Sequence, residues 1–100
     1  MSRIWHAEAK ALIGSDGRVV PAAYFVDESH VRRWSDAGFD VPAAADRLAV
    51  FFDTMSGDAE AFAREERRIA LASGISEDDP LLWRIDSFPR HFGTVPFIAG

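Results

Sequence analysis

Cysteine is absent from this chain of 100 residues. Its absence excludes disulfide bonds, thiolate nucleophiles and every zinc site that depends on cysteine ligands. The chain also lacks an apolar run of about 18 residues, which a membrane-spanning helix would need, and its first residues lack the continuous apolar segment of a signal peptide. We therefore expect a cytoplasmic protein that does not enter a membrane.

Basic residues are too few and too scattered to indicate a nucleic-acid-binding protein. The chain carries 11 basic residues, only one of them a lysine, against 16 acidic residues, and its formal net charge is −5. Because binding to phosphates needs a basic face or tail, we expect no direct nucleic-acid binding. An acidic surface could meet a basic partner, although ordinary soluble proteins share this composition.

Apolar side chains are abundant. Apolar residues make up 48% of the sequence and aromatic residues 12%, a composition typical of a globular rather than a disordered chain. The length fits the usual size of one domain with one modest core. We therefore predict a single domain over residues 1–100.

The N-terminal segment shows a period of two. Residues 3–13 alternate between two sides, which predicts a half-buried strand, although their Ala, Glu and Lys content favours a helix. Residues 14–17 (Gly-Ser-Asp-Gly) are typical of a tight turn, and residues 18–26 are rich in β-branched and aromatic side chains. We predict a β-hairpin, with Pro21 at a sheet edge or a bulge because it cannot donate to a ladder.

A short helix is predicted next. Asp27 or Ser29 can cap its start, since both side chains accept hydrogen bonds from backbone amides. Gly38 can end it in the left-handed conformation. Phe39 is then placed to pack back on Trp34.

The middle of the chain predicts two consecutive helices. Asp40 and Pro42 suit a helix start, Gly57 and Asp58 mark the break between the two helices, and Gly74 can close the second one. Residues at spacings of three and four form two stripes: Val41, Ala45, Leu48, Phe52 and Met55 in the first helix, and Ala59, Phe62, Ala63, Glu66, Ile69 and Ala70 in the second.

The segment after these helices again alternates. Residues 76–80 are predicted as an acidic loop, and residues 81–86 as a strand with one wet face. Together the elements predict an α+β fold: a small antiparallel sheet, made of the N-terminal β-hairpin and a C-terminal strand, with two or three helices packed on one face.

No catalytic motif is complete. The sequence His-Ala-Glu at residues 6–8 is similar to half of the zinc nucleobase deaminase motif, but the cysteines that this family needs are missing. Asp86, Ser87 and His91 are residue types of an acyl-transfer triad, without the G-x-S-x-G turn around the serine. We predict no catalytic residues and no cofactor.

No metal or phosphate site is indicated either. The histidines lie at positions 6, 30 and 91, so no two have the spacing of metal ligands on a helix. A site that the fold assembles from them with Glu8 or Asp86 is the alternative. The glycines form no phosphate-binding loop. We predict no metal-ligating or cofactor-binding residues.

The aromatic C-terminal segment, residues 88–100, is the strongest candidate for a functional surface. It is too apolar for a disordered tail, and its two prolines limit the conformations lost on docking. It can act as an extended arm that binds a partner, or it can cover the domain's own core. The partner-binding candidates lie in this segment and shortly before it, and they are residue types enriched at interfaces: Trp83, Arg84, Phe88, Arg90, His91, Phe92 and Phe97.

Three functions are compatible with these features. We favour a non-enzymatic interaction or regulatory module, which binds a protein partner or forms a homodimer through this aromatic segment. The second is a small enzyme whose acid–base groups come from His6, Glu8, His30, Asp86 and His91. The third is an acidic inhibitor of a nucleic-acid-binding protein, which clustering of Asp58 with residues 77–79 would favour.

Overall fold

The computed structural model describes residues 4–54 and 58–94. These residues form three short strands followed by four helices. The strands are β1 (Trp5–His6), β2 (Ala11–Ile13) and β3 (Val19–Pro21), and the helices are α1 (Glu28–Asp36), α2 (Val41–Thr54), α3 (Ala59–Ala72) and α4 (Pro80–Thr94). Met55 and Gly57, predicted at the end of the first stripe and at the helix break, lie outside the described residues.

The sheet is antiparallel, with the strand order β1-β2-β3. Leu12 in the central strand pairs with Trp5 on one side and with Val20 on the other. These three side chains are buried and share one face of the sheet, and α2 packs against β2 and β3. The predicted turn at residues 14–17 is confirmed, and Gly17 adopts a positive φ of 87° there.

The alternation over residues 3–13 predicted one strand, but the described part, residues 4–13, contains two strands, β1 and β2. The chain reverses at residues 7–10, where Lys10 has a positive φ of 51°, so β1 and β2 pair with each other. The reversal buries Trp5 and Leu12 on the same face, although the alternation put them on opposite sides. Pro21 lies in β3 at the edge of the sheet, as predicted.

Helices α1 and α3 end in the same way, as the sequence predicted. Each is followed by a glycine at positive φ, 107° at Gly38 and 102° at Gly74. The amide of the glycine and the amide of the next residue donate hydrogen bonds back to the last turn, as in a Schellman motif. The two ends face each other, since a Cβ at Gly38 would lie 3.4 Å from the carbonyl oxygen of Ser73. Phe39 packs on Trp34 with ring centroids 4.8 Å apart, as predicted.

An aspartate precedes each of the helices α1, α2 and α3. The side chains of Asp27, Asp40 and Asp58 each accept hydrogen bonds from backbone amides in the first turn of α1, α2 and α3. These side chains satisfy donors that have no partner within the helix. The predicted starts of these helices are therefore confirmed.

Residues 81–86 lie in α4 and not in the predicted strand. The buried residues of this segment recur at the spacing of a helix, and Pro80 occupies the first helical position, where the missing amide costs nothing. Six residues of alternation are too few to distinguish a strand from a helix with one buried face. A helix also satisfies its own backbone, whereas a strand at this place would need a neighbouring strand.

The fold is α+β, as predicted, with helices packed against a small antiparallel sheet. All three strands come from the N-terminal part of the chain, and the described residues contain four helices rather than two or three. One cluster of buried apolar side chains extends from Trp5 to Phe88. Among the described residues, no helix has both the length and the apolar character needed to cross a bilayer.

Candidate functional site

Helix α4 carries the exposed aromatic residue of the predicted surface, and Asp79 holds the start of this helix. The side chain of Asp79 is only 10% exposed. It accepts hydrogen bonds from the indole Nε1 of Trp34 (3.1 Å), from the guanidinium of Arg33 (3.1 Å) and from the amide of Leu81 (2.9 Å). One carboxylate therefore ties the first turn of α4 to α1.

Helices α3 and α4 pack side by side in opposite directions. Phe62, near the start of α3, contacts Phe88 in the second half of α4, with ring centroids 5.3 Å apart. One turn away, Arg67 forms an ion pair with Asp86 at 2.9 Å. These contacts hold the inner face of α4 against the domain and leave its outer face in solvent.

A buried polar network lies beneath α3. The carboxylate of Glu66, 1% exposed, accepts a 2.6 Å hydrogen bond from the hydroxyl of Tyr24 and forms an ion pair with Arg47. Burial, together with the nearby charge of Glu66, raises the pKa of Tyr24 well above its usual value. The network joins the segment before α1 to α2 and α3, so we interpret it as a structural link.

Trp83 is the most exposed large apolar side chain among the described residues, at 67%. Leu82 and Ile85 on the inner face of α4 are fully buried, and helix geometry turns position 83 to the opposite side. The other two tryptophans, Trp5 and Trp34, are 7% and 0% exposed. A helix that is well packed on one side thus presents one indole to solvent.

Two exposed arginines on α3 and α4 form no ion pair with any other described residue. Arg84 follows Trp83 on α4, and Arg64 lies on α3. Arg64, Glu60 and Asp86 line a shallow depression of about 250 Å³ between the two helices. Since Asp86 lies one turn after Trp83, the indole and Arg64 belong to the same outer surface.

The predicted partner-binding residues do not all lie on this surface. Trp83 and Arg84 are exposed, but Phe88 is 1% exposed and belongs to the core. Residues 88–94 are helical and do not form an extended arm. Three further candidates lie in the last turns of α4: Arg90, His91 and Phe92. Phe97 lies outside the described residues.

The predicted acid–base residues are brought together only in part. His6 and Glu8 line one depression of about 370 Å³ beside Glu28. His30 lies in the first turn of α1, with its Nδ1 3.6 Å from the carboxylate of Asp27. Asp86 is paired with Arg67, and His91 lies in the last turns of α4.

A third depression, of about 440 Å³, lies beside the turn between β2 and β3. Its lining includes His6, Ser15 and the apolar side chains of Ile13 and Pro42. The Oγ of Ser15 donates a 2.5 Å hydrogen bond to Asp46, which also accepts the amide of Ser15 at 3.1 Å. Ser15 is thus engaged in attaching the turn to α2.

The acidic residues of the third hypothesis do not form one cluster. Helix α3 has 14 residues and is about 21 Å long. Asp58 precedes it, whereas residues 77–79 follow it, so they lie at opposite ends. Among the residues that the structure describes, no group of three His, Asp or Glu side chains could hold a metal ion.

Comparisons of the chain with protein-family models, with curated proteins and with solved structures find no match.

Proposed function

We propose that this protein is a small non-enzymatic interaction module that binds a protein partner through the outer face of α4. The observation that carries the proposal is Trp83, a large aromatic side chain that is 67% exposed on a helix packed tightly on its other side. Tryptophan and arginine are the residue types most enriched at interface hot spots. Trp83 and Arg84 supply one of each.

The distribution of the other exposed apolar side chains favours a transient complex over a permanent homodimer. Among the described residues they are Val19 on β3, Val26 before α1 and Val50 on α2, so each lies on a different element from Trp83. Permanent interfaces bury more than about 2,000 Å² of largely apolar surface. A single anchor with charged neighbours suits a smaller interface.

The proposal includes a cytoplasmic location, which the cysteine-free composition supports, because nothing in the chain depends on an oxidising compartment.

Site-specific photocross-linking tests the proposal. Full-length protein with a benzophenone amino acid at position 83 is irradiated in cytoplasmic extract of the native host, beside protein with the same group at position 50. Val50 is the matched control because it is 63% exposed but lies on α2. We expect one cross-linked protein from position 83 and none from position 50, with unlabelled wild-type chain competing and Trp83→Ala failing to compete.

The same cross-linked protein from both positions, or no cross-linked protein from position 83, would contradict the proposal. Irradiation of the purified protein alone separates self-association from partner binding. A cross-linked product of twice the chain mass from position 83 would identify a second copy as the partner.

A small enzyme is the second candidate, because His6 and Glu8 line the same depression. The Nδ1 of His6 accepts a 3.1 Å hydrogen bond from the amide of Ala9, which fixes the orientation of the ring. A small-molecule screen by NMR would favour this reading if ligands shift the His6 ring signals, and if Glu8→Gln abolishes those shifts.

A further inference from the structure

The outer surface of α3 and α4 differs in charge from the rest of the molecule. Its exposed and half-exposed charged residues, among those the structure describes, are four arginines and three carboxylates: Arg64, Arg67, Arg68 and Arg84 with Glu60, Glu65 and Asp86. The whole chain, in contrast, has 16 acidic and 11 basic residues. The indole of Trp83 therefore lies on a locally basic part of an acidic protein.

The ion pairs on this surface leave two arginines available. Arg67 is paired with Asp86, and Arg68 with Glu65. Arg64 and Arg84 have no ion-pair partner among the described residues. A planar guanidinium in solvent is suited to bidentate binding of a carboxylate.

From this geometry we propose that the partner of the α4 surface is an acidic protein segment, with carboxylates arranged around an apolar side chain. The apolar side chain packs on Trp83, and the carboxylates bind Arg64 and Arg84. This inference rests on the proposed function and adds to it the chemistry of the partner. A nucleic acid is disfavoured because two unpaired arginines on a chain of net charge −5 offer little against many phosphates.

The indole itself reports on this binding. Trp5 and Trp34 are buried, so quenching of tryptophan fluorescence by acrylamide reports chiefly on Trp83. The probes are two synthetic peptides of 20 residues with the same Leu and Phe positions, one with Glu and Asp elsewhere and one with Lys elsewhere. We expect the acidic peptide to protect Trp83 from acrylamide and to bind at least about tenfold more tightly than the lysine peptide. Trp83→Phe should lose the signal.

Charge reversal at single positions tests the contribution of the arginines. Arg64→Glu and Arg84→Glu should each weaken binding of the acidic peptide by about fivefold or more. Lys10→Glu is the matched control, because it changes the net charge equally but lies in the exposed turn between β1 and β2. It should change the affinity by less than about twofold. Circular dichroism of each variant verifies that the helices are retained.

Several results would overturn the inference. The lysine peptide could bind as tightly as the acidic peptide, or neither peptide could protect Trp83 from acrylamide. The three charge reversals could weaken binding equally, or an oligothymidine could protect Trp83 more strongly than the acidic peptide does. Equal binding of both peptides would remove the acidic partner but keep docking at Trp83. Failure of cross-linking at position 83 would instead remove the proposed function itself.

Discussion

Glu66 shows how a single charged residue can join distant parts of this chain. Its partners are Tyr24, in the segment before α1, and Arg47 on α2. Removing one of these partners should cost about 1–3 kcal/mol, because the buried carboxylate of Glu66 then lacks one of its hydrogen bonds. The fold therefore depends on these three side chains together.

The buried hydroxyl of Tyr24 should make the free energy of unfolding depend on pH. It is the only tyrosine, so tyrosinate absorbance follows this residue alone. Its pKa in the folded state is raised above the unfolded value of about 10. Folded Tyr24 holds its proton more tightly, so its contribution to the free energy of unfolding is complete below about pH 10 and is lost as the pH rises further.

Two measurements check this prediction. The absorbance titration should lie at higher pH in buffer than in concentrated urea, and urea unfolding should show stability falling above about pH 10. Tyr24→Phe should remove most of that fall. Coincident titrations in buffer and in urea would show that the hydroxyl is not buried in the folded protein.

Asp79 and its neighbour Asp78 form a natural matched pair of variants. Asp79→Ala should lower the free energy of unfolding by about 2 kcal/mol or more, because it removes the cap of α4 and leaves the buried indole of Trp34 without an acceptor. Asp78→Ala, at an exposed position, should change it by less than about 0.5 kcal/mol. Urea denaturation of both variants gives the comparison, and equal effects would refute the assigned role of Asp79.

Sequence reasoning recovered residues whose partners are close along the chain and missed those whose partners are distant. The caps at Asp27 and Gly38 were predictable because each bonds within a few residues. Glu66 was placed only in a helical stripe, since its hydroxyl partner lies 42 positions away. Arg64 was not among the candidate binding residues, because its lack of an ion pair does not follow from local spacing.

At the scale of elements, the turn between β2 and β3 is attached to α2 by Asp46. Gly14 comes so close to this side chain that an added Cβ would overlap Oδ1 of Asp46. We expect Gly14→Ala to cost about 0.5–1.5 kcal/mol, because Asp46 must move and release its hydrogen bonds to Ser15.

A double-mutant cycle checks this attachment. Asp46→Ala alone loses the same hydrogen bonds, so Gly14→Ala should cost little more in that background. The measurement is the free energy of unfolding of both single variants and of the double variant. Strictly additive effects would show that the glycine is required for some other reason.

Helix α4 shows why one misassigned element changes the candidate site. The predicted strand put Trp83 on the same side as Leu81 and Ile85, whereas the helix separates it from them by half a turn. The sequence does contain a helix start at Asp79 and Pro80, within the segment predicted as an acidic loop. Trp83 could therefore be predicted as a candidate from its residue type. The side on which it lies depends on whether residues 81–86 have the period of a strand or that of a helix.

At the scale of the whole molecule, the single domain stays a prediction that the continuous core supports. Buried side chains from both ends of the described chain belong to one cluster. We expect tryptophan fluorescence, which follows the core around Trp34, and far-ultraviolet circular dichroism, which follows the helices, to give the same urea midpoint. Two separated transitions would show that part of the chain, such as α3 with α4, unfolds independently.

The edges of the sheet have a consequence for crowded solutions. Polymers of β-rich proteins grow when an exposed strand recruits another chain through its free amides and carbonyls. Here one edge strand ends in Pro21, which has no amide to offer, and the other edge strand is only two residues long. The sheet is therefore a poor seed for fibrils.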